Sequence, residues 1–243
     1  NDKNKQTGSK QSSKINLGQE YNLLNIGVIR SEGFRNPTIY ELYGTDSTGY
    51  SGNKNLKEEK SVSNEIYLDA KILNNISVSI RGFRTKINNQ IEYKSNKYVN
   101  NADNLALKQS GVDTIFKIKG TEYSVDLFSS FLSSDKVGES PQLRRPEKTY
   151  GFSFFKNFNS NFLGKFNLNL KYNHYGKHFD THSSTFTTIE MDSTDIVDLS
   201  LNKKFGIYNL QINTTNLLDE GYQRPHGYSQ NGRLFNVAIK AEF

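Results

Sequence analysis

The chain contains no cysteine, which excludes disulfide scaffolds, thiol nucleophiles and thiolate metal sites together. It holds four prolines and one methionine in 243 residues, and only 34% of its residues are hydrophobic. Mean hydropathy is −0.71, and no run of about 18 apolar residues could form a membrane-spanning helix. A globular core of ordinary size would be thinly supplied. Lysine and arginine exceed aspartate and glutamate by 31 − 25 = 6, but the basic residues are scattered rather than gathered into a stripe, which argues against a nucleic-acid partner. The first residues also lack the basic region and short apolar core of a signal peptide. The chain is then either cytoplasmic or begins in the middle of a larger structure.

What is present is alternation with period two. Tyr123, Val125 and Leu127 alternate with Glu122, Ser124 and Asp126; Phe166, Leu168, Leu170 and Tyr172 alternate with Lys165, Asn167, Asn169 and Lys171. Ile76, Val78 and Ile80, then Val197, Leu199 and Leu201, then Phe235, Val237, Ile239 and Ala241 repeat the pattern. Each is a strand with one apolar and one wet face. No stretch carries a comparable helical stripe, so the fold class is all-β.

Short polar turns near Glu20–Asn22, Asn74–Asn75, Lys119–Gly120, Asn159–Asn161 and Lys203–Gly206 alternate with long polar connections. The long ones lie at about 33–56, 88–99, 134–146, 176–189 and 218–231. Five turns and five loops join eleven strands of roughly ten or more residues. Short turns at one end and long loops at the other describe a transmembrane β-barrel, whereas a soluble sandwich has shorter strands and no reason to keep its long connections on one side. A sheet in lipid must close, and single-chain bacterial barrels have even strand numbers. Eleven strands therefore point to one part of a larger antiparallel barrel. Asn1–Lys14 reads as the tip of an external loop, leading into a strand at Ile15, Leu17 and Gln19.

The strand Arg233–Phe243 ends on an aromatic residue. A terminal Phe243 on an alternating strand resembles the signal by which the barrel assembly machinery recognises outer-membrane barrels. More specific is Ser31-Glu32-Gly33-Phe34-Arg35-Asn36-Pro37-Thr38-Ile39-Tyr40-Glu41-Leu42-Tyr43-Gly44, followed by Gly52-Asn53-Lys54-Asn55-Leu56-Lys57-Glu58-Glu59-Lys60-Ser61. These residues resemble the signature of TonB-dependent outer-membrane receptors. Asn216-Leu217-Leu218-Asp219, Gly221-Tyr222-Gln223 and Gly227-Tyr228 through Gly232-Arg233 resemble that family's approach to its last strand. The sequence departs from the pattern at Asn36, at Glu58-Glu59 and at Leu218.

The resemblance covers about residues 15–243 and implies a barrel of about 22 strands with an N-terminal plug, pulled open by the TonB energy-coupling complex. This chain would be the C-terminal part of that barrel, with the plug, the TonB box and the first barrel half absent from it. It implies residence in the bacterial outer membrane, among lipopolysaccharide and outer-membrane lipid. Leu143-Arg144-Arg145-Pro146, His174–Asp180 and Gly227-Tyr228 before Gly232-Arg233 are similar to the cobalamin-receptor branch. The ligand implied is a corrinoid, with a ferric siderophore or haem as the alternative. The calcium loops of that branch belong to the absent half, so no metal or other cofactor is assigned to any residue here.

Candidate ligand contacts are Arg35, Tyr40 and Tyr43, where a strand gives way to a loop, and Tyr222, Arg224 and His226 in the last loop. Arg144 and Arg145 could take lipopolysaccharide phosphates or ligand carboxylates, since a guanidinium offers bidentate geometry. The competing structural readings are an interfacial aromatic girdle for Phe34 and Tyr43, a ladder end at Pro37 and a solvated loop for the arginines. The family motif itself comprises Gly33, Phe34, Pro37, Glu41, Leu42, Asn53, Leu56, Glu59, Asn216, Leu217, Asp219, Gly232 and Arg233. His174, His178 and His182 recur every four residues, but on a strand becoming a loop that spacing does not build a metal face. No nucleophile, acid and base constellation emerges, so the chain is not read as an enzyme. The functional expectation is energised uptake of a scarce, bulky nutrient, set against a passive pore or a soluble binding sandwich.

Overall fold

The computed structural model describes residues 2–4, 8–101, 106–135, 141–161 and 164–241. In chain order the elements are β1 (Asp2–Asn4), β2 (Gly8–Lys10), β3 (Ser13–Tyr21), β4 (Leu24–Arg35), α1 (Ile39–Tyr43), β5 (Glu59–Leu73), β6 (Ile76–Asn88), β7 (Ile91–Lys94) and β8 (Lys97–Asn100). They continue as β9 (Leu107–Lys119), β10 (Tyr123–Ser134), β11 (Lys148–Ser160), β12 (Gly164–Tyr175), β13 (His178–Thr181), β14 (Thr188–Met191), β15 (Thr194–Phe205), β16 (Tyr208–Thr215) and β17 (Leu234–Ala241).

Eleven strands form one antiparallel sheet in the order β17-β16-β15-β12-β11-β10-β9-β6-β5-β4-β3. Each neighbour follows its predecessor by hairpin, so the sheet is a meander with the short turns at one end. Tyr21 pairs with Leu24, Leu73 with Ile76 and Phe205 with Tyr208, leaving two-residue turns at Asn22-Leu23, Asn74-Asn75 and Gly206-Ile207. Asn22 and Gly206 adopt positive φ, as two-residue hairpin turns favour. No second large sheet faces this one among the described residues.

The two faces differ as the alternation predicts. Along one face Val28, Ile66 and Val237 remain 50%, 55% and 64% exposed, while Ile29 and Tyr67 on the other are each 8% exposed. The apolar face holds Tyr21, Tyr123, Phe158, Phe166, Phe205 and Tyr208 beside the short turns, with Phe158 and Phe166 stacked at 4.8 Å. That is an interfacial girdle on a lipid-facing wall. The opposite face carries Asn167, Asn169 and Lys171 and the pairs Arg81–Asp69 (3.9 Å) and Lys117–Asp126 (3.7 Å). It is a polar lumen wall.

Boundaries shift for local reasons. β4 runs on through Arg35 because Glu59 pairs opposite it, so the first long loop starts after the "SEGFR" segment instead of within it. The second connection extends to residue 106 rather than ending near 99, since a hairpin of β7 and β8 is inserted. The fourth likewise holds the hairpin of β13 and β14, and residues 2–10 include the small hairpin of β1 and β2 rather than a plain loop tip. β3 has nine residues and β16 eight, fewer than the ten expected. Phe243 lies outside the described residues.

Candidate functional site

The long connections gather into two groups, each organised around different chemistry. In the first, α1 opens with a capping box: the Thr38 hydroxyl accepts from the Glu41 amide, and the Glu41 carboxylate accepts from the Thr38 amide at 2.6 Å. Leu42 on this short helix packs with Leu56 and Ile91, and Tyr98 closes the cluster. Gly52 passes so close to the Leu42–Tyr43 backbone that a Cβ would lie 2.5 Å from it. Asn53 donates to the Tyr98 carbonyl and so ties the loop to the β7–β8 hairpin.

Arg35 anchors this group. Its Nε and one terminal nitrogen donate to Glu59 at 2.8 and 3.0 Å, and the other terminal nitrogen donates to Glu41 at 3.1 Å. Glu59 also accepts from the Ile91 amide. The expected ligand arginine therefore directs its guanidinium to two carboxylates at the base of the loop. Above it stand four phenols. Tyr50 is buried, stacks on Tyr40 at 4.8 Å and donates its hydroxyl to the Tyr40 carbonyl. Tyr98 lies 5.8 Å from Tyr50 and 5.3 Å from Tyr93. Burial, then Asp46 and neighbouring phenols, pushes the Tyr40 hydroxyl above its usual range, so it is presented neutral. Tyr40, Tyr43 and Tyr93 are half exposed, and Lys54 sits 5.5 Å over the Tyr43 ring.

The second group converges on one carboxylate. Asp180, on β13, has no exposed surface. Oδ1 accepts from Arg144 Nε at 2.8 Å and from the Thr181 amide at 2.7 Å, while Oδ2 accepts from the His226 amide at 2.8 Å. Three connections are thus joined at one side chain. Burial alone would raise its pKa, but the His226 amide, the Arg144 guanidinium and the Thr181 amide outweigh it and hold the carboxyl below the usual range. His226 accepts from the Ser183 amide through Nδ1, and its ring lies 4.5 Å from that of His182.

The other expected site residues fall around this hub. Arg224 lies over the Tyr175 ring at 4.1 Å, and Tyr222 accepts through its carbonyl from the Gln230 amide. Arg145 lines a cleft of about 390 Å³ with Lys177, His178 and Glu190. The structure brings Arg144 and His226 together on Asp180 and places Arg35, Tyr40 and Tyr43 in the other group. Among the described residues, no group of three or more His, Asp or Glu is arranged to hold a metal ion.

The motif near the end of the chain closes the last loop. Asn216, 4% exposed, donates through Nδ2 to the carbonyls of Glu220 and Asn231 and accepts the Glu220 amide through Oδ1. Leu217 donates its amide to the Val197 carbonyl, continuing the ladder. Asp219 accepts from the Arg233 amide at 2.7 Å, with Gly232 lying against its carboxylate. Asp180, Tyr50, Tyr93 and Tyr98 are site residues that sequence reasoning did not single out. Asp180 stood in a noted segment, but its partners lie 36 and 46 positions away.

Comparison with known proteins agrees with this architecture. The sequence profile of the family described as "TonB dependent receptor-like, beta-barrel" matches residues 2–217. The vitamin B12 transporter BtuB of Vibrio cholerae is 27% identical over 262 residues, covering all of this chain and 39% of the transporter. The chain thus spans about two-fifths of the length of the curated relatives it matches. The siderophore receptor PirA of Acinetobacter baumannii superposes with a TM-score of 0.79 at 14% identity, over 98% of this chain and 42% of that one. The ferripyoverdine receptor of the Pseudomonas aeruginosa outer membrane gives 0.75 at 14%, over 95% and 32%. At these identities the superpositions speak to fold alone. A lipid-facing meander of eleven strands, its loop-closing motifs and the matched profile place the chain in the outer membrane, as a barrel segment belonging to the TonB-dependent receptor family.

Proposed function

We propose that this chain is the wall-and-loop part of a receptor that captures an anionic ferric chelate and admits it through energy supplied by TonB. In this reading a plug and the remaining strands are contributed by the rest of a longer protein, as the two-fifths coverage of the curated relatives suggests. The observation that carries the ligand class is the exposed loop surface. Tyr40, Tyr43 and Tyr93 offer aromatic faces beside Lys54, and Arg145 and Arg224 add cations that suit a flat, negatively charged chelate. Arg35 positions its loop with its guanidinium held by Glu59 and Glu41, whereas Arg144 is tied to Asp180 through Nε with its side chain 60% exposed and His226 through its backbone amide. The barrel assembly machinery and lipopolysaccharide are partners of the same reading.

A corrinoid is the second reading, favoured by the identity to vitamin B12 transporters over the whole chain. Cells whose sole receptor of this class is the full-length protein distinguish the two. We expect accumulation of radiolabelled ferric siderophore that stops on addition of an uncoupler, with an apparent affinity about tenfold weaker in Tyr40→Ala. Uptake of labelled cyanocobalamin in place of iron would transfer the assignment to the second reading. Uncoupler-insensitive flux of both would contradict energised transport and favour a passive pore.

A further inference from the structure

The lipid-facing wall is not uniform. Leu17, Val28, Ile66, Gly82, Val112 and Phe131 form one continuous row across β3, β4, β5, β6, β9 and β10, paired in register and therefore on one face. In the middle of that row Gly82 has no side chain. A groove of about 980 Å³ opens there, floored by the neighbouring apolar side chains. A Cβ at Gly82 would meet only Ile66 Cγ2, at 3.3 Å, so a larger residue would project into the groove.

The loop-side rim of the groove is cationic. Arg30 and Arg84 lie in the next row toward the loops, on β4 and β6, with Asn64 of β5 between them and accepting from one terminal nitrogen of Arg30 at 3.2 Å. Two inter-strand spacings put their backbones about 10 Å apart. Lys148 ends the apolar row on β11, and Lys86 and Lys108 face each other one row beyond Arg84. Against these five cations the same face offers Glu32, 3.0 Å from Arg30, and Asp135, 4.0 Å from Lys108, and Glu147 lines the groove beside Lys148. Farther round the wall the corresponding level is different: Tyr172 and His174 both turn to Asp195, at 2.6 and 2.8 Å. The positive rim belongs to β4–β11.

We infer that this groove is a binding site for a phosphorylated glycolipid of the outer leaflet. One acyl chain fills the gap over Gly82, and the phosphate at its head is held between Arg30 and Arg84, with Lys148 completing the charge balance. Charge complementarity selects this occupant. An apolar slot passing directly into guanidinium groups at the membrane boundary matches a lipid with a phosphate at the same depth, and guanidinium binds phosphate in bidentate fashion. A lipid without net negative charge would leave the excess of cations on the rim unbalanced.

The site is tested on the full-length receptor purified in detergent, using native mass spectrometry with lipid A, enzymatically dephosphorylated lipid A and phosphatidylethanolamine. The wild type is expected to retain lipid A at least tenfold more tightly than either control. Arg30→Gln with Arg84→Gln should remove that preference, and Gly82→Leu should weaken all acyl binding while leaving the arginines in place. Siderophore binding to the same preparations should not change, which separates loss of the lipid site from loss of the fold. Equal retention of lipid A and phosphatidylethanolamine, unchanged retention in both variants, or a protein protecting this face in place of lipid would each overturn the inference.

Discussion

The two loop groups solve the same problem with opposite means. The connections built on α1 and the β7–β8 hairpin bury Leu42, Leu56 and Ile91, and stack Tyr50 against Tyr40, so that many small contacts share the work. The connections around β13 bury one carboxylate, and three segments depend on it. Distributed apolar packing loses stability in proportion to the atoms removed, whereas a buried charge stripped from its partners leaves donors unsatisfied in the interior. Extracellular loops on a rigid wall can therefore be pre-organised either way, and the two ways fail differently.

The sharpest break in the comparison is Asp180→Ala. It leaves Arg144 and the amides of Thr181 and His226 without their acceptor, and should lower the free energy of opening the second-group loops by about 3 kcal/mol, read by amide exchange. Acid offers the same perturbation without mutation. Because the folded carboxyl titrates below its ordinary value of about 3.9, its stabilisation is complete above that pH and is lost as the pH falls through the lower folded value. Loop protection should match at pH 7 and pH 5 and fall only in stronger acid.

A smaller effect is expected from Leu42→Ala, about 2–3 kcal/mol, confined to residues 38–58 and 89–101 because the cavity is shared by neighbours that partly collapse. Thr38→Ala removes one arm of the capping box and should cost about 1 kcal/mol, visible as faster exchange at Glu41 with little change elsewhere.

Much of the wall was legible in the sequence because its rule is local. Phe166, Leu168, Leu170 and Tyr172 alternate within one strand, and period two needs no knowledge of partners. The five turns and five loops were legible for the same reason, with errors where pairing decides: β4 continues to Arg35 because Glu59 stands opposite. The loops were legible by residue type but not by role. Arg35 looks like a free cation beside tyrosines until two carboxylates, one of them 24 positions away, are seen to hold it. Asp180 is one carboxylate among many until two distant segments are seen to meet on it. The groove over Gly82 was hidden too, since its rows run perpendicular to the chain, through six strands at once.

Amide exchange on the full-length receptor in a bilayer, with wild type, Asp180→Ala and Leu42→Ala side by side, tests the two-group account most directly. The account predicts that Asp180→Ala releases residues 141–147, 178–191 and 222–230 while 38–58 and 89–101 keep their protection, and that Leu42→Ala does the reverse. Joint release of both groups in either variant would contradict it, and would mean that the loops form a single cooperative cap.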